Sequence, residues 1–402
     1  MKKKILFVIN TLGRAGAETA MLALINKLNP QEYDISLYVM LNQGELVHEL
    51  PSYVRLLNKN LCDVSVLSKE GKRKLYRCIF KKLFSHGSVF KNFFYMLSNA
   101  VSIIKNGGRL MADKLLWRAV SDGSERFKTE YDAAVAYIEG ASAYYVHDHV
   151  KAAKKCGFIH IDYGQAGYTR AMDKDCYLDF DRIFAVSDEV RHSFLSVYKN
   201  LGEKTKVFHN IVDDEKILKK AEESISEMKA DGAAKLLTVG RLTYQKGFDV
   251  AVKALKILIG RGYEVHWYVV GDGPEYDALI AQAEREKVSE YFHLLGAKNN
   301  PYPYYRKADI YVHATRFEGK SIALTEAQIL GCAIVASDCS GNREQIDSGE
   351  NGILCEFSPE GIADAVENLI LNPKLAEKFA QAAAKRKINH LEELQYIYEL
   401  MR

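Results

Sequence analysis

Glu318 and Glu326 stand eight positions apart in RFEGKSIALTEAQILGCAIVAS, residues 316–337. The apolar run DIYVHA ends just before Thr315, and Glu318 and Gly319 fall at the tip of the turn that follows. Ser321 is placed to cap a helix running to about Leu330, which Gly331 ends. A helix start exposes unpaired backbone N–H groups and the positive end of its dipole, so an anion can sit there between two carboxylates. Taken alone, the pair fits a solvated glutamate and a helix-face glutamate just as well.

Two cations, Arg241 and Lys246 in GRLTYQKG, fall in another strand-to-helix loop. Positive side chains beside a strand end suit a diphosphate leaving group, because they neutralise charge as a glycosidic bond breaks. TLGRAGAE supplies Gly13 and Gly16 at the first such turn of the chain, where glycine lets backbone approach a ligand. The dinucleotide fingerprint Gly-x-Gly-x-x-Gly is absent there, and GDGPEYDA carries Tyr276 where its third glycine belongs, so a nicotinamide dehydrogenase loses ground. His160, in GFIHIDYG, ends an apolar run and by itself reads as a core histidine. Asp173 and Asp175, and Asp179 and Asp181, form Asp-x-Asp pairs of a kind that can hold a metal–nucleotide complex but is common in acidic loops. Seven scattered cysteines without a Cys-x-x-Cys argue against a disulfide framework or zinc site and for a reducing compartment.

The elements that must position these residues are short apolar runs separated by helical stretches. One series starts at Ile5, Ile35, Val54, Ala133, Phe158, Arg182 and Lys206, with a first helix over residues 18–28. A second series starts at Lys235, Val265, Phe292, Asp309, Ala333 and Gly352. Such runs are how strands buried on both faces of a parallel sheet read. The expected class is α/β, with two doubly wound domains, residues 1–212 and 213–402, joined near residues 210–214. Helices over residues 373–402 close the chain and could return to the first domain. Ligands of such sheets bind at the carboxyl ends of strands, which points to a cleft between the domains. The start MKKKILFVIN reads as a buried strand rather than a signal peptide, and no run of about 18 apolar residues suggests a membrane span.

The net charge is +3, from 55 basic and 52 acidic side chains, which does not suggest a nucleic-acid binder. Residues 69–128 nevertheless hold fourteen basic side chains against four acidic ones, more than the whole chain's surplus. Within them Phe90, Phe93, Phe94, Leu97, Val101 and Ile104 recur at helical spacing, with Lys81, Lys82, Lys91 and Lys105 near the ends of the stripe. This pattern is expected to hold the protein against an anionic membrane surface. The same pattern also fits a stripe packed on the first sheet with its lysines solvated.

Taken together, these residues resemble retaining glycosyltransferases of family 4, whose GT-B fold consists of two Rossmann-like domains facing each other across a cleft. The similarity is strongest over residues 235–340. It rests on GRLTYQKGFDVAVKAL, GDGPEYDALIAQAEREKV and HLLGAKNNPYPYYRKADIYVHATRFEGKSIALTEAQILGCAIVAS, with Glu318 and Glu326 as the Glu-x7-Glu signature. FIHIDYG, DRIFAVSDEV and VFHNIVD resemble first-domain segments. The resemblance implies that Glu318 lies near the reacting carbon of a donor sugar and that Glu326 binds the donor ribose. It implies that Arg241 and Lys246 hold the diphosphate. Backbone at Gly319, Lys320, Ser321 and Ile322 would contact sugar and phosphate, and His160 the transferred sugar. Gly16 would leave room for donor phosphates and Gly13 for the acceptor.

The implied activity is metal-independent transfer, with retention, from a nucleotide-diphosphate sugar, a UDP-sugar by family habit. The acceptor would be a glycan or a lipid-linked glycan of the cell surface, and the expected location is cytoplasmic or peripheral on the inner membrane face. No cofactor beyond the nucleotide sugar is expected, because cationic side chains and the helix dipole do a metal's work. The alternatives are a GT-B epimerase or phosphorylase, and a non-catalytic partner subunit of the same fold.

Overall fold

A computed structural model describes residues 2–66, 68–105, 112–164, 166–229 and 231–402, without the side chains of Lys105, Ala112 and Asp113. The chain divides into two compact units, one ending at Ile211 and completed by Asn389–Arg402, the other Val212–Ile388. The division cuts through the terminal segment 373–402, which the sequence reading puts in the second domain with its helices able to return to the first. Helix Pro373–Ala384 stays in the second unit, whereas helix Leu394–Leu400 belongs to the first. There Ile397 and Leu400 pack with Phe7 and Leu24, and Glu393 accepts hydrogen bonds from the His209 backbone and holds the His209 ring at 2.7 Å.

The first unit has a seven-stranded parallel sheet: β1 (Lys3–Ile9), β2 (Tyr33–Val39), β3 (Arg55–Leu56), β4 (Tyr131–Ala136), β5 (Ala152–Ile159), β6 (Arg182–Ala185) and β7 (Thr205–Val207). Its order is β3-β2-β1-β4-β5-β6-β7. Ile5 to Ile9 are fully buried because helices cover both faces, and each face has its own apolar cluster. β5 starts six residues before the apolar run read at Phe158. Its first half, AAKK, is half-buried at its ends and exposed at Ala153 and Lys154, so hydrophobicity marked only the half that pairs with β6.

The second unit has six parallel strands: β8 (Ala234–Val239), β9 (Val265–Val270), β10 (Phe292–Leu294), β11 (Ile310–His313), β12 (Ala333–Ser337) and β13 (Ile353–Cys355). Their order is β10-β9-β8-β11-β12-β13. In both units the strand order reverses beside the first strand, between β1 and β4 and between β8 and β11. Loops leave these neighbours toward opposite faces and open a crevice at their carboxyl ends.

Residues 69–128 form helices Lys69–Phe84, Ser88–Lys91, Phe93–Lys105 and Ala112–Asp122. Not all of their charges are on the surface. Lys82 is 5% exposed and donates to Tyr38 Oη (3.2 Å) and Ser124 Oγ (3.1 Å). Lys114 lies over the Tyr168 ring, and Arg118, also buried, pairs with Asp148 at 2.8 Å. Arg109 lies outside the described residues, as does the side chain of Lys105.

Candidate functional site

In the second unit the loops after β8 and β11 are sewn together. Arg316 N–H and Thr315 Oγ1 both donate to the Gln245 carbonyl, at 2.8 and 2.9 Å, and Gln245 Nε2 donates to the Phe317 carbonyl at 2.9 Å. The Arg316 guanidinium grips both carboxylate oxygens of Asp249, at 2.8 and 2.7 Å, and lies 3.9 Å over the Tyr244 ring. Gly247 has φ +64°, and a Cβ there would meet the Ala314 carbonyl at 2.6 Å, so only glycine lets the two loops close up. The clamp fixes the turn Tyr244–Lys246 beside residues 315–318.

That placement brings Lys246 Nζ onto Glu318 Oε2 as an ion pair, with the two side chains only 16% and 14% exposed. His313, at the end of β11, is buried with Nε2 3.6 Å from the same carboxylate, beyond hydrogen-bond reach. Burial acts to raise the Glu318 pKa, but the Lys246 ammonium beside it overcomes this and holds the carboxyl at about 2. Glu318 is therefore an anion at neutral pH, suited to stabilising developing positive charge and not to donating a proton. Burial lowers the His313 pKa despite Glu318, so its imidazole is neutral there.

Glu326 is the fifth residue of helix Ile322–Ile329 and is 9% exposed. Tyr305 Oη donates to its Oε2 at 3.1 Å. Burial raises its pKa to about 7, against hydrogen bonds from Tyr305 and Tyr302 that act to lower it. The two glutamates thus occupy opposite electrostatic settings, one beside a cation and one beside neutral hydroxyls.

Ser321 caps the helix, accepting from the Leu324 N–H at 3.5 Å. Its own N–H donates to Gln345 Oε1 (2.7 Å), and Gln345 Nε2 donates back to the Ser321 carbonyl (3.0 Å). Of the backbone donors expected over residues 319–322, that of Ser321 is therefore already taken. The N–H groups of Gly319 and Ile322 have no partner among the described residues, and Lys320 lies half-buried on the turn. Gly341 packs so close that a Cβ would stand 1.6 Å from the Gly319 carbonyl. Gln345 and Gly341 were not singled out from sequence. Their part is visible only once the segment after β12 lies against the turn. Arg241 is exposed, and its side chain makes no hydrogen bond or ion pair among the described residues.

In the first unit His160 directly follows β5, with its N–H donating to Glu139 Oε2 at 2.9 Å. Its ring stacks near Tyr137 and Phe158, and Nε2 is buried without a partner. Burial lowers its pKa to about 4, leaving a neutral imidazole. Glu139, from the loop after β4, is 5% exposed with its pKa raised by burial, and sequence reasoning missed it. Gly16 opens helix Gly16–Lys27, which has no side-chain cap. A Cβ on Gly13 would meet Val66 Cγ2 at 3.7 Å, an ordinary contact, so packing does not require glycine at that position.

The Asp-x-Asp pairs are engaged elsewhere. Asp173 is fully buried and accepts from Tyr144, Tyr163 and Tyr198 at 2.8, 2.8 and 2.9 Å. Asp175 pairs with Arg170, Asp179 with His147 and Asp181 with Lys154.

Two Rossmann-like parallel sheets with a lysine–carboxylate pair at a strand-order reversal define a GT-B protein. Residues 219–386 match the family model of the glycosyl transferases group 1. A Campylobacter jejuni N-acetylgalactosamine-N,N'-diacetylbacillosaminyl-diphospho-undecaprenol 4-alpha-N-acetylgalactosaminyltransferase is 30% identical over 185 residues, 46% of this chain and 49% of that protein. The amylovoran biosynthesis glycosyltransferase AmsD of Erwinia amylovora is 28% identical over 160 residues, 40% of this chain and 45% of that protein. The chain thus matches about half the length, or less, of these relatives. The crystal structure of Anabaena HepE in complex with UDP-glucose superposes with a TM-score of 0.69 at 16% identity, covering 99% of this chain and 98% of that one. At that identity the likeness is one of fold.

Proposed function

We propose that the protein is a retaining glycosyltransferase that moves a sugar from a nucleotide-diphosphate sugar to a glycan or lipid-linked acceptor in surface polysaccharide synthesis. The observation that carries the reading is the largely shielded Lys246–Glu318 pair at the reversal between β8 and β11. A cation and an ionised carboxylate side by side match what leaves and what remains when a glycosyl phosphate bond breaks. The diphosphate departs toward Lys246 and Arg241, and the cationic sugar carbon develops toward Glu318. The N–H groups of Gly319 and Ile322 add uncharged donors at the helix start. Glu326 takes the ribose hydroxyls, and His160, neutral and with an unused buried nitrogen, takes a hydroxyl of the transferred sugar. These groups supply the electrostatic work, so the transfer needs no metal.

UDP-sugar as donor is supported by the fold shared with HepE, a structure solved with UDP-glucose. A lipid-linked acceptor is supported by the diphospho-undecaprenol in the name of the Campylobacter relative. The test is a thermal-shift screen of nucleotide sugars, followed by incubation of the stabilising donor with lipid-linked and free glycans. The expected result is acceptor-dependent release of nucleoside diphosphate, persisting in chelator, with the product anomer matching the donor. Stabilisation by no nucleotide sugar overturns the reading. Conversion of the donor without acceptor replaces it with an epimerase, and a requirement for phosphate replaces it with a phosphorylase.

A further inference from the structure

Exposed apolar side chains are concentrated in one stretch of this protein. Of the sixteen large hydrophobic side chains exposed among the described residues, nine lie between Tyr76 and Ile104. Single exposed hydrophobics are ordinary on a soluble surface, but such a cluster marks a binding face. On helix Lys69–Phe84 the exposed aromatics are Tyr76, Phe80 and Phe84, four residues apart and so aligned along one face. Phe80 and Phe84 are in ring contact at 4.6 Å. On helix Phe93–Lys105 the exposed set is Phe93, Phe94, Leu97, Val101 and Ile104, again at helical spacing, with Phe94 80% exposed. Phe90, 75% exposed, lies between the two helices in sequence.

A second ladder runs beside the first. Lys69, Arg73, Arg77 and Lys81 are all exposed and also recur every fourth residue of helix Lys69–Phe84, about 100° round from the aromatic row. None has an ion-pair partner among the described residues. The one acidic residue in 69–104, Glu70, is already paired with Lys74 at 2.7 Å. Lys82, on the same helix, is turned inward onto Tyr38 and Ser124, so the basic ladder and the aromatic row share the outward side. Both helices pack on helix Ala112–Asp122, which anchors them to the first unit.

We infer that this pair of helices is an interfacial binding face for an anionic lipid bilayer. Aromatic and aliphatic side chains insert at headgroup depth, and the basic ladder lies against the lipid phosphates. Charge complementarity selects a bilayer over a neutral apolar partner, because an uncompensated basic row beside aromatics is what anionic headgroups over acyl chains satisfy. No described helix is long and apolar enough to cross a membrane, so the contact lies on the surface and does not span it. The inference stands apart from the transferase reading, since it uses none of the residues assigned to sugar transfer.

The experiment is vesicle flotation without nucleotide, using phosphatidylcholine alone and phosphatidylcholine with phosphatidylglycerol, at low and high salt. Two surface variants accompany the wild type, R73E/R77E/K81E and F80S/F90S/F94S, each checked for an unchanged melting curve. Wild type should float with the anionic vesicles at low salt and not with phosphatidylcholine alone. The charge variant should lose about tenfold or more in partition, since each basic residue near anionic lipid contributes a factor of several. The aromatic variant should lose binding at both salt concentrations. Absence of wild-type flotation with anionic vesicles at low salt overturns the inference. Equal flotation of all three proteins does so too. A wild-type dimer that the aromatic variant breaks into monomers, with no flotation, assigns the face to a second copy of this chain instead. UDP binding by calorimetry is measured separately, so failure of either reading leaves the other standing.

Discussion

Lys246 and Glu318 come from loops on different strands and meet as an ion pair that is mostly shielded from water. Each side chain is held by backbone fixed elsewhere, Lys246 by the turn clamped through Gln245 and Glu318 by the turn packed on Gly341. The pair is thus preorganised before any ligand arrives, and on the transferase reading an incoming diphosphate would compete with Glu318 for the same ammonium.

Glu318→Gln should lower single-turnover transfer by about 10²–10³, the range seen when one preorganised electrostatic contact is removed. Donor affinity should not fall, because the carboxylate matters most as positive charge develops on the sugar and its loss frees the Lys246 ammonium for the diphosphate. Rapid-quench turnover beside calorimetric donor affinity decides it, and an unchanged turnover removes Glu318 from the chemistry.

Arg241→Ala and Lys246→Ala should weaken binding of UDP far more than of uridine, by roughly tenfold or more each, the worth of a charge-assisted contact. Lys246→Ala should be the more severe, since it also leaves Glu318 as an uncompensated anion facing the diphosphate. Calorimetry with both ligands checks this, and equal losses for UDP and uridine refute a diphosphate role.

Donor binding should depend on pH through Glu326, whose pKa is raised by burial to about 7. On the transferase reading the ribose hydroxyls would donate to the ionised carboxylate, so the complex would favour deprotonation and binding would release a proton at and below that pKa. Affinity should therefore rise as pH increases through 7 and level off above it, and Glu326→Gln should flatten the profile while weakening binding. The same shift has the opposite sign for folding. A raised carboxyl pKa contributes stability that is full below the ordinary value of 4.5 and is lost as pH rises through 7. Calorimetry in two buffers of different ionisation enthalpy measures the proton directly.

Acid should undo the other carboxylate. Glu318 is held at about 2 against an ordinary 4.5, so its stabilising share is present above 4.5 and lost as pH falls toward 2. Melting temperatures from pH 6 to pH 2.5 should fall less steeply for Glu318→Gln than for wild type. Identical slopes would mean that the pair does not contribute as its geometry implies.

Gly341→Ala should damage the donor site without touching a charged residue. Its Cβ would collide with the Gly319 carbonyl, backbone that cannot swing away as a side-chain tip can. Transfer should drop and the melting temperature fall, whereas Gly202→Ala, where a Cβ meets nothing within 4 Å, should leave both nearly unchanged. A fully active Gly341→Ala would show that the turn tolerates displacement.

Much of the second unit was legible because buried parallel strands write themselves as unbroken apolar runs. VHWYVV is buried at every position, and its neighbours KLLTV and IYVH announce the two loops that carry Lys246 and Glu318. β5 was half visible, since AAKK is not buried and carries two lysines. Gln345 escaped notice because an amide that closes on the backbone of Ser321 leaves no periodic signal. The terminal helix Leu394–Leu400 was readable as a helix, but its place in the first unit depends on Ile397 joining the apolar cluster of Phe7 and Leu24 and on Tyr398 stacking with Tyr33.

Sequence by itself determined the two sheets, the turn that carries Glu318, the helix that carries Glu326 and the basic character of residues 69–128. Each follows from local spacing and side-chain type, which the chain states directly. Only the tertiary structure decided which charges meet water. Lys81 and Lys82 are adjacent and chemically identical, yet one is exposed and the other is sealed against Tyr38 and Ser124. Glu318 and Glu326 share one segment, yet their pKa values part in opposite directions. Solvation and the nearest countercharge set these properties, and both are supplied by residues far away in sequence.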